Sequence, residues 1–499
     1  MKSGGIFIVI LFTISIQAQI SELKLIPSDP QNVVSFGSSV AIDQDILVVG
    51  GPESDIQGVN SGAAVVFEKV NGNWVEDTLL LADDGTTAAH FGWAVGVKDN
   101  YVFIGADQDP EIGTWAGAVY IYKRDTLTGL WYEFQKIVPG DIQAWYKFGS
   151  SISISGNKIL IGARDANSNV GAAYVFRLQD TLWVEEQKLT PSGYVGAEPY
   201  IGNSVSIDGD YAIVGAHNDD SGGNESGAAY IFYYDGNEWT QQAKILSSDI
   251  SSGDKFGFSV SLSGDYVIVG AVSSFHQTHM TGAAYVFQRQ DTLWVEEVKL
   301  VDSSAVTTIA FGFSVSLLNN YAIVGVRHDN QNGNNSGAAY IFKRVNSNWT
   351  KLSKILASDG GESDQFGYQV DLDEDIFAVG APIQYAGGLY CGAAYLYSGF
   401  VTSVFEIHPS IVKNFQLSQN YPNPFNPNTR IIFTIPQTGF TSLKVYDVLG
   451  NEVATLINEE KSAGEYEIDF NSNGLTSGIY FYQIKAGNFI ETKKMVLMK

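Results

Sequence analysis

Apolar and polar residues along most of the chain alternate in short runs broken by glycine. In "FGFSVSL", which begins at Phe256, Phe258, Val260 and Leu262 fall on one face and Ser259 and Ser261 on the other. That two-residue period predicts a strand. The next run, "YVIVGA", is almost wholly apolar, as for a strand covered on both faces. "GAAYVF" at Gly282 predicts a third strand, and the charged, alternating "WVEEVKL" at Trp294 a fourth.

The opening phrase returns. It starts at Phe36, Phe91, Phe148, Ile201, Phe256, Phe311 and Phe366, at intervals of 55, 57, 53, 55, 55 and 55 residues. A period of this length with four strands per unit predicts a seven-bladed β-propeller, one blade per repeat. Serines on the first strand leave room for a neighbouring blade near the axis. Glutamates and lysine on the fourth discourage pairing with other chains. The seventh repeat stops after "GAAYLYSG", and its missing strand stands at the other end of the chain. "SELKLIPSD" from Ser21 matches "EEQKLTPSG" from Glu185. The N-terminal strand is therefore expected to close the last blade. After Gly399 the repeat ends, and roughly 80 final residues alternate between glycine and asparagine turns, which predicts a small β-sandwich. The fold class is all-β.

Composition sharpens this picture. The 499 residues include 52 glycines and, adding Phe, Tyr and Trp, 63 aromatics, with only 17% charged residues. Lys2 and the short apolar run "IFIVILFTISI" followed by "QAQ" read as a secretory leader over 1–19, too short to span a bilayer. Cys391 is the only cysteine, so no internal disulfide can form, and it reads as a small core residue. The net charge is −25, with 20 Lys+Arg against 45 Asp+Glu in residues 20–402 and 8 against 9 in 403–499. Such a surface disfavours nucleic acid as a partner.

The motif "FG…(I/V)GA(P)…SGAAY(V/I)F…W" resembles the FG-GAP repeats of integrin-α-like propellers over residues 20–400. The resemblance implies an extracellular ligand-binding propeller, often with calcium in a loop between first and second strands. This sequence departs there. Its connections are tight "DGD" and "SGD" turns, and "DLDED" (371–375) lacks the glycine and the final carboxylate of such a loop. No cofactor is expected, calcium being the one ion the family raises.

The second-to-third and fourth-to-first connections are long and variable, and both kinds belong to one face of a propeller. Variable loops on a rigid scaffold suit recognition. Asp109, Asp219 and Asp329 each lie four residues after a second-strand glycine, with His217 and His328 nearby. Trp115, Trp145 and Tyr385 offer stacking surfaces, as do Tyr146, Tyr194, Phe275 and Tyr390. "HQTH" (276–279) would suit a metal only on a helical turn. There is no G-x-S-x-G, H-E-x-x-H, phosphate loop or dinucleotide fingerprint. The expected function is a binding or adhesion protein recognising a glycan or protein. The alternatives are a structural surface component without a ligand, or a secreted hydrolase or lyase using the loop carboxylates.

Residues 417–499 carry "NYPNPFNP", "VYDVLG", "SGIYFY" and a basic terminal strand. They resemble the type A C-terminal sorting domain of the type IX secretion system, with residues 401–416 as linker. The resemblance implies a leader-directed first step, then export through the type IX machinery. The product is released or fixed to surface lipopolysaccharide.

Overall fold

The structure is a computed structural model. It describes residues 20–276, 279–305, 309–345, 348–386, 389–399, 415–420, 423–435, 439–461, 464–472, 474–487 and 489–498. The expected leader and most of the expected linker lie outside the described residues. What is described falls into two compact units, taken in turn.

Residues 20–399 form seven four-stranded antiparallel sheets. Blade 1 runs Ser39–Asp43, Ile46–Gly51, Ala63–Val70, Asn73–Leu80. Blades 2 to 6 repeat that order from Phe91, Phe148, Val205, Phe256 and Phe311. Blade 7 has Val370–Asp373, Ile376–Ala381 and Ala393–Ser398. Its fourth place is taken by Ser21–Leu25, antiparallel to the third strand with Leu23 opposite Leu396. The N-terminal strand closes the ring.

Hydrophobic cores lie between the blades. Phe256, Val260 and Leu262 of blade 5 pack on Ile213, Ala229 and Ile231 of blade 4. The other face of the same sheet sends Ile268, Ala284 and Val286 against Phe311, Val315 and Leu317 of blade 6. Burial at about 25 cal/mol per Å² of apolar surface makes these interfaces the main source of stability. The first-strand serines face the next blade. Ser259 Oγ donates to the Gly312 carbonyl at 2.9 Å, and Ser261 Oγ accepts from the Leu317 N–H at 3.0 Å.

The recurrent "FG" and "GA" are the joints. The Phe91 N–H donates to the Ser61 carbonyl at 3.1 Å and the Phe256 N–H to the Ser226 carbonyl at 2.9 Å. The Phe36 N–H completes the circle on the Cys391 carbonyl at 2.9 Å. Gly62 (φ +87°) and Gly92 (φ +93°) sit so close to the facing backbone that a Cβ would collide with the carbonyls of Phe91 and Ala63.

One expectation changes. Phe256 pairs with Ala271, but the next pair is Ser259 with Gly270, so two residues bulge out. Phe258 therefore leaves the face it would share with Val260 and turns half-exposed toward the central channel.

Residues 415–498 form a sandwich of a three-stranded and a four-stranded sheet. Ile431, Phe433, Leu443, Val445, Tyr482, Ile484 and Met495 fill it. Its proline-asparagine segment is a clasp. Buried Phe425 donates its N–H to the Val496 carbonyl at 3.0 Å and accepts the Met498 N–H at 3.0 Å. Asn423 Oδ1 takes the Val496 N–H at 2.8 Å, which pins the terminal strand.

Candidate ligand site at the channel mouth

The first-to-second and third-to-fourth connections are tight turns, so the long loops share one face around one end of the channel. There the third residue of each motif lines a cavity of about 370 Å³: Ser38, Trp93, Ser150, Asn203, Phe258, Phe313 and Tyr368. Glu53 and Arg164 complete the wall.

The aromatics run from blade to blade. Phe258 and Phe313 are 5.0 Å apart between ring centroids, and Phe313 and Tyr368 5.1 Å. His217 meets Phe258 at 5.4 Å and stacks on Tyr200 at 5.6 Å. In blade 2, His90 stacks on Trp93 at 5.7 Å. Cations sit on these rings. The Arg327 guanidinium lies 4.0 Å from the Phe313 centroid and 5.8 Å from that of Tyr368, and Arg164 lies 5.1 Å from Trp93. Arg164 reaches Asp107 at 3.4 Å, and Lys147 reaches Asp165 at 2.8 Å.

Several buried polar atoms at this end have no hydrogen-bond partner: Ser150 Oγ, His217 Nδ1, Asn218 Oδ1 and Arg327 Nε, while His90 Nδ1 and Asp107 Oδ1 lie 3.4 Å from each other. Native proteins satisfy most such atoms, so a cluster at a cavity marks a place for function. Burial, then Lys255 and Arg164, push His217 down to about 4, so it is neutral at pH 7. His328 moves the same way, through burial and Arg327. Burial also pulls the Arg327 guanidinium below its ordinary value.

The residues expected from sequence are distributed as follows. Asp109, Asp219 and Asp329 are buried in three separate blades. Asp109 accepts from Tyr120 Oη at 2.6 Å and Lys136 Nζ at 3.1 Å. Asp219 accepts from Tyr230 Oη at 2.5 Å and Lys244 Nζ at 3.1 Å, and from Ser221. Asp329 takes Lys354 Nζ at 2.7 Å. Asp84 shares the same Tyr120 and Lys136 with Asp109, and the third-strand tyrosine and fourth-strand lysine recur on Asp141, Asp249 and Asp359 in blades 3, 5 and 7. In blade 6, Tyr340 turns instead to Asp302. Each triad is a brace between loops and strands.

Trp115 and Trp145, 37% and 53% exposed, are brought together edge to face at 4.6 Å with Lys147 Nζ 5.6 Å from the Trp115 ring. Tyr385 meets Tyr390 at 5.1 Å, both exposed. Tyr194 and Phe275 are exposed too, whereas Tyr146 is a core residue, 5% exposed. His276 and His279 pair across a two-residue hairpin, not a helical turn, and residues 277–278 lie outside the described residues. Among the described residues no cluster of metal-ligating side chains is found. Asp371 and Asp373 of "DLDED" accept the Ile42 and Gln44 N–H groups at 2.9 and 2.7 Å at the seam that closes the ring.

Sequence reasoning missed Trp93, Arg164, Phe258, Phe313, Arg327 and Tyr368. For Trp93, Phe258, Phe313 and Tyr368 the available signal was the third motif position, which varies beside an invariant glycine.

The FG-GAP repeat model matches residues 21–67, 74–122, 131–176, 183–232, 239–287, 294–342 and 349–397. The chain belongs to the FG-GAP repeat family. Residues 419–498 match the secretion system C-terminal sorting domain, so the protein is exported through the type IX system to the cell surface or the medium. A search of curated proteins found no match. Solved structures similar to this chain include three propeller-containing or secretion-related proteins. The β-propeller domain of the Trilobed protease from Pyrococcus furiosus is 9% identical, covering 68% of this chain and 90% of that one, TM-score 0.38. Sqt1 from Chaetomium thermophilum is 12% identical, covering 81% and 95%, TM-score 0.42. PorZ, a surface component of the type IX secretion system of Porphyromonas gingivalis, is 11% identical, covering 92% and 70%, TM-score 0.23.

Proposed function

We propose that the propeller is an extracellular recognition module that binds a glycan or protein ligand on its long-loop face, a binding or adhesion role outside the cell. The observation that carries this reading is the channel mouth: an aromatic-lined cavity with buried polar atoms left unpaired, beside the exposed Trp115–Trp145 pair. The carboxylates of Asp109, Asp219 and Asp329 support the scaffold in this reading. Where the exported protein stays on the surface, lipopolysaccharide is its anchor once the C-terminal domain is removed.

The test is binding of the chain from residue 20 to arrays of glycans and extracellular proteins, with calcium and with chelator. Saturable binding weakened by Trp115→Ala or by mouth substitutions supports recognition. A blank across both arrays, with a folded protein, refutes it. Surface retention is checked by fractionating cells for lipopolysaccharide-linked protein.

A further inference from the structure

We propose that the channel mouth binds the carboxylate of an acidic sugar, a hexuronate, with Arg327 as its anchor. This rests on the recognition reading above and names the ligand class.

The first observation is one of charge. Residues 20–402 carry 45 acidic groups against 20 basic ones, yet Arg164 lines the mouth cavity, Arg327 lies on its Phe313 ring, and Lys147 and Lys255 stand near Trp115 and His217. Three of these are neutralised in place: Arg164 by Asp107, Lys147 by Asp165 and Lys255 by Glu225 at 3.2 Å. Glu53, the acidic group in the wall, is engaged by Ser35 at 2.5 Å. Arg327 differs. Among the described residues it has no carboxylate within ion-pair distance, and its Nε is buried without an acceptor.

A guanidinium half-buried among rings without an anion is costly unless something repays it. In the free protein the faces of Phe313 and Tyr368 do so in part. Stacking fixes the plane of the guanidinium, and its two Nη atoms, which have no hydrogen bond or ion pair among the described residues, can take a carboxylate through two parallel N–H···O bonds. The cation is pre-oriented.

The second observation concerns the rest of the ligand. His217, neutral and held between Tyr200 and Phe258, backs the wall, and Ser150 and Asn203 line the cavity, Ser150 Oγ having no hydrogen-bond partner. These groups suit hydroxyls, which both donate and accept. Trp93, Phe258 and Phe313 offer apolar faces to the C–H side of a pyranose ring. A cavity of about 370 Å³ holds one or two sugar residues. A carboxylate next to several hydroxyls on a ring with an apolar face describes a uronic acid.

Calorimetry with the chain from residue 20 tests this, using oligogalacturonate and oligoglucuronate, their carboxyl-reduced neutral forms, and an Asp/Glu peptide. The acidic oligosaccharides should bind about tenfold or more tightly than the reduced ones, one charge-assisted pair's worth. Arg327→Met, which keeps the stem on Phe313, should remove that preference while melting normally; Arg327→Lys should restore part of it. Asn203→Ala should weaken binding severalfold, and Trp115→Ala should leave the preference intact. Equal binding of acidic and reduced sugars, or a preference indifferent to Arg327→Met, overturns the anchor. Preferential binding of the peptide overturns the sugar. Binding of neutral glycans alone sinks this inference but leaves the recognition reading standing, whereas no binding of anything sinks both.

Discussion

The two ends of the channel treat polar groups in opposite ways. At the turn end the lining is acidic, and every carboxylate there is occupied. Asp43 holds Lys98 at 2.7 Å and the Asp99 N–H at 2.9 Å; Asp208 takes the Gly264 N–H at 2.8 Å. Asp371 and Asp373 do the same for blade 1. Each carboxylate caps the backbone of the next blade. At the mouth, by contrast, aromatic rings and cations meet buried polar atoms with no partner. The lesson is that a net charge of −25 says little by itself about ligands. Acidic groups hold the ring together, and the informative group is the leftover cation.

That contrast can be broken or sharpened. The largest effect comes from deleting residues 20–30, which removes Ser21–Leu25 from blade 7 and opens both ends at once. The melting temperature should fall by about 10 °C or more, or soluble protein should be lost. A melting curve unchanged from the parent would refute the latch.

Next is Asp219→Ala. It strands Tyr230 and Lys244 with no acid between them. Breaking such a pair costs about 2–4 kcal/mol, read from the urea midpoint, with mouth binding expected to survive at temperatures where the variant is folded. If stability holds and binding disappears, the aspartate belongs to the site and not to the scaffold.

The carboxylates should also differ among themselves with pH. Burial opposes the charged form of Asp84, Asp141, Asp219, Asp249, Asp302 and Asp359, yet their lysine, serine and tyrosine hydrogen bonds hold all six below the usual value. Their contribution is present above the unfolded pKa, near 4, and is lost as pH falls through the folded values. Asp371 runs the other way, pushed up to about 6 by burial. Its contribution is full below the unfolded pKa and lost as pH rises through 6. Asp371→Asn should therefore stabilise the protein at pH 7.5 by on the order of 1–3 kcal/mol, with the gain shrinking toward pH 4.5. A gain independent of pH would remove the assignment.

The smallest effect is that of Arg327→Met on folding. With no anion to lose, the change should stay within about 0.5 kcal/mol and lean toward stabilising. A loss of several kcal/mol in a denaturant melt would reveal a structural role for this cation.

The architecture was open to reading because it is written in periods. Seven motifs at near-constant spacing, strands of period two and the orphan "SELKL" strand sufficed for the ring and its closure. The mouth was hidden for three physical reasons. The bulge after Phe256 breaks the two-residue rhythm, so Phe258 reads as core-facing when it lines the channel. The tyrosine of "GAAY" reads as an apolar core residue, which hides that its hydroxyl reaches an aspartate in a distant loop, as Tyr120 reaches Asp84 at 2.6 Å. Asp109, Asp219 and Asp329 then look available when they are engaged. Arg164 and Arg327 are single residues beyond a strand end, and only the closed ring shows that one has an acid beside it and the other, among the described residues, none.

The closing strand also sets an order of events. Ser21–Leu25 is made before its partner, Ala393–Ser398, which lies more than 360 residues later. Joining such distant segments carries a loop-closure entropy that nothing local offsets until six blades have stacked. Circularisation is thus expected to come late in folding. Until it occurs, the third strand of blade 7 presents a bare row of N–H and C=O groups, able to accept the same strand from a second molecule. Crowded, half-delivered chains are where exchanged dimers would arise, and fast capture of the N-terminus is what keeps each ring its own.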